Sequence, residues 1–130
     1  MVTRESELLR ILGALAQEFP QLEWVALVDD DGLMIACHPA SPPVSQDRIA
    51  GMTAAQVLTS RRLAEEMEAG KLRYVTVMGS AAQILIVALD RRHFLTLGMA
   101  PQVQSQGAFG PLSRWVPELL RTLRMRFSAT

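Results

Sequence analysis

The chain of 130 residues carries Lys+Arg 13 against Asp+Glu 13, a formal net charge of +0, and is 49% hydrophobic. That length suffices for one domain, residues 1–130, with a buried core, and the composition excludes an intrinsically disordered chain. Balanced charge leaves no global field to draw in nucleic acid or acidic lipid, and it does little to keep copies of the chain apart.

The first helix is expected from Arg4 to Phe19, entered through Thr3 as N-cap with Glu5 and Glu7 in its first turn. Leu8, Ile11, Leu12, Leu15 and Phe19 recur at helical spacing and form its apolar stripe, and Pro20 stops it. The opening residues are too acidic for a secretory signal, and no apolar run approaches the ~18–20 residues that span a bilayer. With Cys37 the single cysteine, an internal disulfide is ruled out, and the expected address is the cytoplasm.

Leu22 to Val28 and Leu33 to Cys37 read as two strands around Asp29-Asp30-Asp31-Gly32, since Asp-Gly between apolar runs is a hairpin signal. Pro39 to Pro43 is a stiff connection leading to Ser45, the N-cap of a long helix expected to run to Glu68 and to be closed by Gly70.

That long helix is apolar or small on two sides. Ile49, Met52, Gln56, Leu63 and Met67 fall on one stripe, expected to face the core. Behind it, Gly51, Ala55, Leu58 and Arg62 repeat with Ala54 beside them, where a wet surface would carry charges. Small residues at that spacing admit a second helix closely. The helix is thus expected to be covered twice, by its own domain and by a partner.

Three further strands, Leu72–Met78, Gln83–Leu89 and His93–Met99, are joined by short links and form an antiparallel meander. Ile84 to Leu89 is continuously apolar, as a strand buried on both faces requires. Pro101 to Gly110 reads as a mobile polar loop. A last helix starts near Pro111 or Ser113 and runs to about Phe127, with Leu112, Trp115, Val116, Leu119, Leu120 and Leu123 inside and Pro117 kinking it or marking a 3₁₀-like turn. The fold class is α+β: element order α-β-β-α-β-β-β-α, a five-stranded antiparallel sheet, the long helix on one face and the terminal helices on the other.

Chemistry is sparse. No Gly-x-x-x-x-Gly-Lys-Ser/Thr phosphate loop occurs, so the chain is not itself a GTPase. Cys37 and His38 are neighbours and point to opposite faces of a strand, which with His93 leaves no four-ligand metal set. Asp29-Asp30-Asp31 departs from a calcium loop in having Met34 where glycine belongs and reads as a solvated turn. The serines lack a nucleophile-elbow context. No catalytic, metal or cofactor residues are assigned, and Arg61 and Arg62 are read as bridging Glu65, Glu66 or a twin subunit. Arg114, Arg121, Arg124 and Arg126 make the last helix basic, complementing its dipole or an acidic partner. Trp24, Trp115 and Tyr74 are not interleaved with basic residues, which argues against nucleic acid.

The element order, together with Val28 to Ala36, Met52-Thr53-Ala54-Ala55, Leu63 to Met67, Val75 to Gly79 and Ile84 to Val87, resembles the roadblock family of dynein light chains and their bacterial relatives. The resemblance implies a homodimer in which long helix packs on long helix and the strand Leu72–Met78 pairs with its copy. The residues expected at that interface are Gly51, Ala54, Ala55, Leu58, Arg62, Tyr74, Val75 and Val77; Arg48, Thr59, Arg61 and Glu66 are expected to meet a further partner. The resemblance also implies a small Ras-like GTPase as that partner and a regulator or scaffold without an active site of its own. A small-molecule sensor, using Gln56, Ser60 and Thr76 in the sheet–helix crevice, and a purely structural dimer module are the alternatives.

Overall fold

A computed structural model describes residues 2–125. Helix α1 (Arg4–Glu18) is followed by strands β1 (Leu22–Asp29) and β2 (Met34–His38), helix α2 (Gln46–Glu66), strands β3 (Tyr74–Met78), β4 (Gln83–Ala88) and β5 (His93–Met99), a 3₁₀ turn (Ser105–Ala108) and helix α3 (Phe109–Arg124). The strands form one antiparallel sheet in the order β2-β1-β5-β4-β3. The expected fold class and element order hold. Among the described residues, no helix is long and apolar enough to cross a membrane.

Thr3 caps α1 by accepting from the Ser6 N–H at 3.0 Å, and the Ser6 hydroxyl accepts in return from the Thr3 N–H at 2.9 Å. The predicted stripe of Leu8, Ile11, Leu12 and Leu15 is buried. It packs with Leu112, Leu119 and Leu123 of α3 against Val25, Leu27, Leu85, Leu95, Leu97 and Met99 of the sheet. On the opposite face, Ile49, Ala50 and Val57 of α2 meet Trp24, Ala26, Val28, Ile86 and Phe94. Trp24 lies flat over Gly98, where an added Cβ would sit 2.1 Å from the indole, so a side chain there would unseat the ring.

Four local expectations are corrected. The buried stripe of α2 is Ile49, Ala50, Thr53, Val57, Ser60 and Ala64, not Ile49, Met52, Gln56, Leu63 and Met67. Met52, Leu63 and Met67 are 66%, 63% and 70% exposed, and Gln56 is half-buried. Hydrophobicity ranks methionine and leucine above alanine, threonine and serine, but a helix lying close on a sheet needs small side chains beneath it. The helix also ends earlier than Glu68, with Met67 as its cap and Glu68 itself left-handed at φ 54°. Residues 101–110 are not a free loop, because they contain the 3₁₀ turn and the start of α3 and are anchored by the buried amide of Gln83. Finally, α3 starts at Phe109, before Pro111 and Ser113, so Pro117 lies inside the helix and not in a 3₁₀-like first turn; its expected last residues near Phe127 lie outside those described.

Candidate protein–protein interface

Strand β3 is an edge, and its pairing fixes which groups it leaves open. The Ala88 N–H donates to the Arg73 carbonyl at 3.0 Å and the Gly79 N–H to the Ala82 carbonyl at 2.9 Å, with Val75 opposite Ile86 and Val77 opposite Ile84. In an antiparallel ladder such pairs alternate, so the main-chain groups of Tyr74, Thr76 and Met78 point outward along the open edge. Side chains alternate likewise. Val75 lies in the cluster under α2, while Tyr74 meets Phe109 of α3 edge-on, centroids 5.1 Å apart, on the other face. Tyr74, Val77 and Met78 are 53%, 41% and 60% exposed. An edge of this kind, unpaired and partly apolar, is a template for another strand.

Helix α2 adds two exposed flanks, one on each side of its buried stripe. Gly51, Ala54 and Leu58 lie on the flank beside the turn 29–32: a Cβ on Gly32 would stand 3.6 Å from Gly51 Cα and 3.8 Å from Ala54 Cβ. Leu58 is 64% exposed there, next to exposed Ala55 and Arg62. Met52, Leu63 and Met67 occupy the opposite flank by helical spacing. Hydrophobicity alone assigns Met52, Leu63 and Met67 to the core; the alanines and hydroxyl residues at 50, 53, 60 and 64 are the signal that the stripe beneath is narrow and set one position round.

Of the other partner residues, Arg48, Thr59 and Glu66 are exposed, and the Thr59 hydroxyl donates to the Ala55 carbonyl at 3.1 Å. Arg61 is half-buried; its guanidinium lies 5.0 Å above the Phe94 ring and donates to the Asp90 carbonyl at 3.3 Å. Neither Arg61 nor Arg62 forms an ion pair with Glu65 or Glu66, so the bridges expected within the chain are absent among the described residues. Nor does a sensing crevice assemble: Gln56 donates to Ser60 at 2.9 Å, while Thr76 alternates onto the α1–α3 face.

The hairpin aspartates, Cys37 and Asp90 are committed locally. The Asp29 carboxylate accepts from the N–H groups of Asp31 at 2.9 Å and Leu33 at 3.0 Å, closing the hairpin turn, and Asp30 pairs with Arg92 at 3.5 Å. Burial pushes the Cys37 thiol up, away from the reactive thiolate. The Asp90 carboxylate accepts from His93 Nδ1 at 2.9 Å and from the N–H groups of Arg92 and His93. Burial would raise its pKa, but those hydrogen bonds and the imidazole outweigh it and hold the group below its ordinary value.

Comparison with known proteins follows the fold closely. A family model described as Roadblock/LC7 domain matches residues 10–98. MglB of Myxococcus xanthus is 15% identical, with 91% of this chain and 95% of that chain covered at a TM-score of 0.81. A Roadblock/LC7 domain from Streptomyces avermitilis is 18% identical over 92% and 100% of the two chains, at 0.83. The gliding protein MglB of Thermus thermophilus is 15% identical over 94% and 92%, at 0.80. No curated protein matches the chain.

Proposed function

Because the chain belongs to the Roadblock/LC7 domain family, we propose that it is a homodimeric, non-enzymatic regulator or scaffold of a small Ras-like GTPase. The observation that carries the dimer is the open β3 edge, with Tyr74, Val77 and Met78 exposed, on a molecule whose central helix also exposes Met52, Leu63 and Met67. Pairing β3 with its copy satisfies the outward main-chain groups of Tyr74, Thr76 and Met78. It sets Val75 and Val77 of the two copies across from one another beneath the helices. The helix contact is assigned to the Met52–Leu63–Met67 flank, because it is the larger apolar surface. A dimer of this kind needs roughly 800 Å² per subunit.

That arrangement leaves Arg48, Gly51, Ala55, Leu58, Thr59, Arg62 and Glu66 outward on α2 for the GTPase. The likeness to the roadblock family and to MglB supports this partner. The mode of action is shape complementarity, with any effect on hydrolysis made by positioning the GTPase's own groups. The test is binding of a bacterial Ras-like GTPase, loaded with GDP or with a non-hydrolysable GTP analogue. Capture dependent on the nucleotide, and weakened by Leu58→Asp, supports the reading; no capture in either state refutes it.

A further inference from the structure

Where α2 ends, the chain turns through residues 67–73 into β3 and leaves an open cavity of about 990 Å³ against the β4–β5 hairpin. Ala64, Leu72, Ala88 and Leu89 give it apolar walls, and Arg61, Lys71, Arg73 and Arg91 line it with four cations. Among the described residues, none of these four has a carboxylate within ion-pair distance. Arg61 is informative here. Its ordinary partner one turn on, Glu65, lines the same cavity, yet the guanidinium turns instead to the Phe94 ring and the Asp90 carbonyl. It is held half-buried by neutral groups, in no ion pair among the described residues.

Three carboxylates at the cavity, Glu65, Glu68 and Asp90, offset most of this charge without forming an ion pair with any of the four cations. The Asp90 carboxylate stays charged but is oriented toward His93 and two main-chain N–H groups, from which it accepts hydrogen bonds. Glu65 and Glu68 are exposed at its rim, and the carbonyl pole of α2 adds about half a negative charge. Four cations on an apolar floor, one of them oriented in advance, are the ingredients of a site for a multivalent oxyanion.

We propose that this cavity binds a small organic molecule carrying two or more phosphate or carboxylate charges. Arg61 and Arg91 reach it from the hairpin side, Lys71 and Arg73 from the loop into β3. The site adjoins the GTPase-facing surface of α2, with Arg61 one turn on from Leu58, but its existence does not depend on that partner.

Inorganic pyrophosphate and citrate, titrated separately into the full chain and followed by calorimetry, test the site. The expected result is saturable binding of at least one probe with a Kd of about 1 mM or tighter, weakened about tenfold in Arg91→Gln and in Arg73→Gln. Arg10→Gln, on the far side of the fold, should bind as the wild type does. A preference for pyrophosphate marks a phosphate-bearing ligand and a preference for citrate a carboxylate-bearing one. No saturable binding of either probe, or equal affinity in all variants, overturns the proposal.

Discussion

The side-chain amide nitrogen of Gln83 lies 2.6 Å from the main-chain carbonyl oxygen of Val103. The same nitrogen reaches the carbonyls of Ala100 at 3.0 Å and Pro101 at 3.3 Å, and the residue is 1% exposed. A strand side chain thus supplies the donor that a polar segment without a strand partner lacks, and so carries the chain from β5 to α3. Replacing it by leucine keeps the volume but leaves buried carbonyls unsatisfied. Gln83→Leu is expected to lose about 1–3 kcal/mol, read as a lower urea midpoint at unchanged slope.

Periodicity makes the outline of this fold legible in the sequence. The α1 stripe, the Asp-Gly hairpin and the unbroken Ile84–Leu89 run each obey a local rule. The residues that escape are those whose role depends on what lies opposite. Gln83 opens a run that reads only for its apolar part, and its amide's partners lie about twenty residues further on. Met52, Leu63 and Met67 look like core because nothing local states how near α2 comes to the sheet. The β3 edge is legible in kind, since Tyr74, Val75 and Val77 form an apolar strand with only one neighbour in sequence to pair with. Arg61 is misleading because an i,i+4 glutamate is its expected partner in sequence, whereas its guanidinium contacts the Phe94 ring and the Asp90 carbonyl.

Thr96 marks a small defect in the core. It is 0% exposed, in the middle of β5, and its hydroxyl has no hydrogen-bond partner among the described residues. An isosteric methyl removes a desolvated polar group without opening a cavity. Thr96→Val is expected to stabilise the fold by about 1 kcal/mol, seen as a raised Tm.

Acid should loosen the β4–β5 hairpin before the rest of the sheet. The folded state holds the Asp90 pKa below the ordinary 3.8, so its contribution is complete above the unfolded value and is lost as pH falls through the folded one. The stability gap between wild type and Asp90→Asn is therefore expected to be full above about pH 5 and to close as the pH drops below 3.8. Denaturant titrations at stepped pH measure it. A gap that stays constant into strong acid would contradict this role for the carboxylate.

The two flanks of α2 make opposite predictions for a charge. Leu63→Asp is expected to break the proposed dimer by placing a bare carboxylate between helices, whereas Leu58→Asp, 64% exposed on the other flank, is expected to leave it intact. Size-exclusion chromatography of the two variants side by side separates these outcomes. Dissociation by Leu58→Asp alone would return the contact to the Gly51–Ala55–Leu58 side.

Strand pairing across β3 is tested most directly by sedimentation velocity of the wild type and of Val77→Asp at about 100 μM, far above the Kd expected of a standard-size interface. Self-pairing requires the wild type to sediment at twice the 14.3 kDa chain mass and the variant to sediment as a folded single chain. A wild type that stays at one chain mass, or a variant still paired, would mean that the exposed edge is not where two copies meet.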